Sequence, residues 1–146
     1  MNQQLIDALN KQLANWNILN TKLHNYHWYV KGPEFFTLHE KFEEYYNEAA
    51  DYIDEIAERI LTIQGKPLAT LKEYMEVATI EEAIGKESAN EMVDQIAKDF
   101  QKIVDDSKEI IEAAEDLLDQ PTSDLFIGIK TSLEQHIWML NAFNAK

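Results

Sequence analysis

The sequence predicts an all-α protein folded as a four-helix bundle with one long crossover. Three observations predict it. Apolar residues recur at helical spacing through almost the whole 146-residue chain. Only four Gly and three Pro interrupt that pattern. The breaks leave four long segments, with a longer link between the second and the third.

The first segment, about residues 3–30, carries Ile6, Leu9, Leu13, Trp16 and Leu23 on one stripe and ends at Gly32 and Pro33. The second runs from about Glu34 or Thr37 to Gln64, where Gly65 and Pro67 form a strong stop. The link then shows capping boxes at Thr70/Glu73 and Thr79/Glu82, which predict one or two short helices. Ser88/Glu91 is a further box. It opens the third long helix, with Met92, Ile96, Phe100, Ile103, Ile111 and Ala114 inward, and Asp119-Gln120-Pro121 closes it. The fourth helix starts near Thr122 or Ser123 and buries Phe126, Ile129, Leu133, Ile137 and Leu140. Four long helices with a long link after the second follow the ferritin-like plan, with the short helix in the crossover.

Length is that of one domain, residues 1–146. With no Cys, disulfides, zinc ribbons and thiol catalysis are excluded together. The first residues lack a basic start and a long apolar stretch, and no run approaches bilayer length, so a cytoplasmic protein is expected. Net charge is −14, with the lysines scattered. That field opposes direct binding to a phosphate backbone and draws cations.

The second helix has three faces. With His39 as the angular origin, Leu38, Phe42, Tyr45, Ala49, Tyr52, Ile53, Ile56 and Ile60 fall on the core side. Glu40, Glu44, Glu48, Asp51 and Glu55 form an acidic side, either a solvated surface or a collector of cations. Between them His39, Glu43, Asp54 and Glu58 occupy a stripe roughly 100° wide. Together with His27, which continues the apolar stripe of the first helix and also reads as a packed core group, all are ligand types that iron accepts. His39 and Asp54 are nonetheless about 22 Å apart along the axis, and Glu43 and Asp54 about 16 Å, so one chain cannot close them on one ion.

An antiparallel copy of the same helix removes the difficulty. Positions 39 and 58 sum to 97, as do 43 and 54. A two-fold crossing near residues 48 and 49, beside the small Ala50, sets His39 against the partner's Glu58 and Glu43 against the partner's Asp54. Charged i,i+4 pairs also occur on ordinary solvated helices, and a polar dimer seam is the competing reading. An intrachain di-iron core needs Glu-x-x-His pairs. The residues three before His24, His27, His39 and His136 are Thr21, His24, Phe36 and Leu133. None is Glu. His24 and His136 read as packed or solvated, and Trp16, Trp28 and Trp138 as packing groups, with a minor redox-protective role held open for Trp28.

These residues also carry a family pattern. Asn25 to Gly32 (NYHWYVKG), Phe35 to Lys41 (FFTLHEK) and Asp54 to Arg59 (DEIAER) resemble the Dps family, the mini-ferritins named as DNA-binding proteins from starved cells. The likeness continues through Thr70-Leu71-Lys72-Glu73-Tyr74 to His136-Ile137-Trp138-Met139 and spans nearly the whole chain. It implies a dodecameric shell with ferroxidase sites at two-fold interfaces, where His27 and His39 of one subunit meet Asp54 and Glu58 of the next. Fe(II) would be oxidised by hydrogen peroxide or oxygen and stored inside as ferric mineral. Glu43 stands where many relatives have Asp. Glu115, Asp116, Asp119 and Asp124 resemble the family's acidic iron-entry channel, and Glu44 and Glu48 are the expected nucleation groups. Members that coat DNA use a lysine-rich extension. This chain begins MNQQ and ends NAFNAK, so direct DNA binding is not expected of it.

Overall fold

A computed structural model of the protein describes residues 2–146. Its elements in chain order are α1 (Asn2–Tyr29), α2 (Phe35–Thr62), α3 (Leu71–Val77), α4 (Ala89–Asp116) and α5 (Gln120–Phe143). Four are long and α3 lies in the crossover, as the sequence predicts. The backbones of α1 and α2 pack closely, as do those of α4 and α5, and α1 also meets α3 and α4.

The core forms where the four stripes face each other. Trp16 of α1 packs against Tyr52 of α2 and Phe100 of α4, with ring centroids 4.9 Å and 6.2 Å apart. Tyr45 of α2 meets Phe100 edge-on at 5.3 Å. Burying one such aromatic or aliphatic side chain contributes on the order of 1.5–3 kcal/mol. The predicted inward residues of α2 are buried, except that Tyr52 and Ile53 are half-buried.

Chemistry at the helix ends sets the boundaries. The α1–α2 turn is short because Gly32 takes a φ of +112°, where a side chain would be strained. After α2, a Cβ on Gly65 would lie 2.8 Å from Ile6 Cδ1 and 2.9 Å from Ile60 Cγ2, so the absence of a side chain lets the backbone pass close over these core residues. Ser88 caps α4 with the full reciprocal box to Glu91. Thr70 caps α3 by accepting from Glu73 N.

Two boundary expectations are corrected. No helix follows Thr79/Glu82, and residues 79–88 run irregularly into α4. The buried amide of Asn15 takes Thr79 N (2.7 Å) and Ile80 N (3.0 Å) on its oxygen and donates to Thr79 Oγ1 (3.0 Å), so the would-be cap is used in a tertiary contact. The last helix starts earlier than Thr122. Asp119 is its N-cap, accepting from Thr122 N at 3.1 Å, and Pro121 sits in the first turn, where a missing N–H costs nothing.

Lys22 and Asp99 form a buried ion pair between α1 and α4. The Lys22 Nζ to Asp99 Oδ2 distance is 2.7 Å, and the side chains are 2% and 1% exposed. The contact is ionic, off the ideal hydrogen-bonding direction. Lys22 also donates to Glu81 O at 2.8 Å, and Gln95 donates to Asp99 Oδ1 at 2.9 Å. Burial pushes the Asp99 carboxyl up, and the Lys22 ammonium works against that shift. Lys22→Met strands the carboxylate and should cost about 3–5 kcal/mol in urea denaturation, with part of the loss recovered when Asp99→Asn is added.

Candidate metal centre

The short turn after α1 sets its last turn beside the first turns of α2, bringing His27 against His39. His27 O belongs to the end of α1, where helix carbonyls lack intrahelical donors. His39 Nδ1 supplies one, at 2.7 Å. In return, His27 Nδ1 lies 2.6 Å from His39 O. A carbonyl oxygen only accepts, so each Nδ1 carries the proton. In the neutral rings each Nε2 is then left with its lone pair, the tautomer a metal ligand needs.

The rings are held by stacking as well. His27 and His39 lie 3.7 Å apart at 13°. Phe35 covers the His39 ring at 4.9 Å and 22°, and Tyr46 meets His27 edge-on at 5.3 Å. His27 is 6% exposed, and the outermost member of the group is Glu43, whose Oε1 lies 3.8 Å from His27 Nε2. His27, His39 and Glu43 are thus brought together within one chain.

Asp54 and Glu58 are not brought to them. Both are exposed on the same helix further along, and neither carboxylate has a hydrogen-bond or ion-pair partner among the described residues. Nor does any group of three or more His, Asp or Glu side chains there stand ready to enclose a metal.

The remaining expected residues divide. Glu44 is exposed, 3.3 Å from Lys41. Glu48 is engaged across the α2–α5 seam. Its carboxylate accepts from Tyr52 OH, from Ser132 Oγ (2.7 Å) and from His136 Nε2 (2.8 Å). Burial pushes that carboxyl up, but the bonds from His136, Tyr52 and Ser132 outweigh it and hold the group at about 2. Around the α4–α5 turn, Glu115, Asp116 and Asp124 are exposed. Asp119 is occupied by its cap and by Arg59, whose Nη2 lies 3.1 Å away. His24 is packed, its Nδ1 on Asn20 O at 2.7 Å and its ring stacked on Tyr46 at 3.7 Å. Of the three tryptophans only Trp16 packs inside the chain; Trp28 and Trp138 are exposed.

Sequence reasoning missed Phe35 and Tyr46 as the walls of the imidazole stack, and it missed the Glu48–His136 pair. The only available signal was positional: Phe35 lies i,i+4 before His39, and Ser132 lies i,i+4 before His136.

Comparison with known proteins places this architecture. The Ferritin-like domain family model matches residues 6–146, so the chain is a ferritin-like protein. DNA protection during starvation protein 2 of Bacillus anthracis is 59% identical over 143 residues, covering 98% of both chains. The crystal structure of a Dps protein from Bacillus brevis superposes with a TM-score of 0.95 at 50% identity, over 97% of this chain and 95% of that one. A Listeria innocua Dps double mutant (TM-score 0.94, 38% identity, 97% and 95% coverage) carries glycine at two histidines twelve positions apart, the spacing of His27 and His39. Within the ferritin-like class the chain belongs to the Dps family, a family of iron storage and of protection in starvation.

The Glu48 contacts carry a pH consequence. A carboxyl held at about 2 when folded, against 4.5 when free, stabilises the fold above about 4.5. That contribution is lost as pH falls from 4.5 towards 2. Glu48→Gln should therefore flatten the acid limb of the stability–pH curve in that window, read by circular dichroism in parallel with the unmodified protein.

Proposed function

We propose that the chain, as one 1–146 subunit of a dodecameric shell, is a ferroxidase that oxidises Fe(II) and stores ferric mineral, protecting the cell from oxidative damage. One observation carries this reading: His27 of α1 and His39 of α2 each keep an Nε2 lone pair, Glu43 lies beside the His27 Nε2, and α2 also carries two carboxylates, unpartnered among the described residues, that this group cannot reach. The paired positions that sum to 97 supply the remedy. A two-fold related α2 presents its own Asp54 and Glu58 to His27, His39 and Glu43, making two identical sites per dimer.

Ferrous iron is the substrate here. Imidazole nitrogen and carboxylate oxygen suit it, and anionic ligands favour the ferric product by charge. Two ferrous ions each give one electron to one hydrogen peroxide, which takes two protons and leaves as two waters. Oxygen is the alternative acceptor. Glu43 faces the His27 Nε2 and is set to bind the ion directly or through water.

Iron would enter past Glu115, Asp124 and Asp119. The first two are free to pass a cation along, while Asp119 first braces the turn through Arg59. Glu44 is the freer nucleation group, and Glu48 joins it only through a carboxylate already accepting three bonds. DNA would then be protected by removing ferrous iron and peroxide from solution, since the net charge of −14 opposes direct contact. No described helix is long and apolar enough to cross a membrane. The reading takes the protein to be cytoplasmic.

Complementation tests the split site. Subunits with His27→Ala and His39→Ala, and separate subunits with Asp54→Ala and Glu58→Ala, should each lose rapid ferrous oxidation. Co-assembled in equal amounts, they should regain about a quarter of the sites, because each mixed interface rebuilds one of its two. Ferric absorbance after mixing with Fe(II) and peroxide reads the result. No recovery in mixed shells would overturn the intersubunit assignment.

A further inference from the structure

We propose that Tyr52 is an electron reserve for this iron chemistry, giving one electron to the oxidant left when peroxide has been reduced only halfway, while its phenolic proton passes to Glu48. The inference rests on the ferroxidase reading for its oxidant.

Peroxide needs two electrons and a ferrous ion gives one. After the first, the oxygen–oxygen bond is broken and hydroxide and a hydroxyl radical remain. The second electron must come from another iron or from the protein. A phenol is a poor donor while it keeps its proton, because the oxidised phenol is a very strong acid. A base already bonded to the phenol oxygen lets proton and electron leave together.

Tyr52 has that base. Its hydroxyl donates to Glu48 Oε1, and the carboxylate is kept ionised by Ser132 and His136, as described above. On the other side of Tyr52 lies a second oxidisable ring, Trp16, at 4.9 Å. Trp16 is buried and its Nε1 has no hydrogen-bond partner among the described residues. A hole on that indole has nowhere to drop its proton, and it passes to the phenol that has.

Tyr26 supplies the contrast. Its hydroxyl also donates to a carboxylate, Glu87 at 2.6 Å, but its ring contact is Phe42 at 5.8 Å, which is not oxidisable in this range.

The step balances. The Tyr52 O–H bond breaks, its electron reduces the hydroxyl radical to hydroxide, and its proton protonates Glu48 Oε1. A phenoxyl radical and a neutral carboxyl remain, and the two hydroxides take protons from solvent. A second ferrous ion then returns an electron and becomes ferric, and Glu48 returns the proton. Two ferrous ions are oxidised per peroxide and no free radical is released.

Freeze-quench electron paramagnetic resonance on the assembled protein tests this, after mixing with Fe(II) and peroxide. A parallel iron-free arm uses azide radical generated by pulse radiolysis. A phenoxyl signal is expected in the unmodified protein and in Tyr26→Phe, and it should be lost in Tyr52→Phe. In the iron-free arm an indolyl signal should decay into phenoxyl, and should persist in Tyr52→Phe. An undiminished phenoxyl signal in Tyr52→Phe, or none in the unmodified protein, overturns the proposal. Catalysed iron oxidation with no Tyr52-dependent signal sinks it and leaves the ferroxidase reading intact. A Tyr52-dependent signal in the iron-free arm without catalysed iron oxidation supports the redox assignment and overturns the ferroxidase reading instead.

Discussion

The reciprocal bonds between His27 and His39 are the constraint on which the rest of the metal centre depends. Each imidazole spends its Nδ1 proton on the other residue's carbonyl, so two backbones and two rings fix one another. One of those carbonyls lies at the end of α1 and would otherwise lack an intrahelical donor. Ordinary helix-end chemistry therefore chooses the tautomer that leaves a lone pair on each Nε2. Stacking from Phe35 and the edge of Tyr46 then fix the ring planes. A histidine oriented only by solvent would sample both tautomers and many rotamers before meeting an ion.

Why the carboxylates lie elsewhere follows from the interior. An intrachain site needs ligands pointing inward from facing helices. Here the inward positions hold Trp16, Tyr45 and Phe100, packed ring against ring. The inner charges are already paired, Lys22 with Asp99 and Glu48 with His136. Among the described residues that core offers no group of three or more His, Asp or Glu side chains to hold an ion. Ligands on the outward stripe of α2 avoid this competition, at the cost of needing a second chain to complete the set.

Much of this was legible in the sequence. The helical period fixes four long elements, and Ser88 and Glu91 announce the start of α4 because a capping box is a local device. The stripe of His39, Glu43, Asp54 and Glu58 follows from helix geometry alone, as does its inability to close within one chain. Legibility ended where long-range partners intervened. Thr79 reads as a cap, but Asn15, sixty-four positions away, takes its donor and acceptor. Glu48 reads as one more residue of an acidic face, because nothing local reveals that Ser132 and His136 of α5 will meet it. Lys22 shares α1's buried side with Asn15 and Ile18, and a cation there signals a partner without naming Asp99.

The α2–α5 seam ties these threads together. Its backbones stand further apart than those of the α1–α2 and α4–α5 pairs, and polar side chains span the gap. Arg59 reaches Thr122 and Asp119 at one end, and Glu48 reaches Ser132 and His136 further along. Hydrogen bonds are directional where apolar contact is not, so two such bridges fix the rotation of α2 about its own axis as well as its position. That rotation decides which way Asp54 and Glu58 point. A helix held only by a greasy stripe could turn by some tens of degrees at small cost, and its outward carboxylates would sweep away from a partner's imidazoles. The polar bridges on the inner side of α2 thus govern the register of the ligands on its outer side.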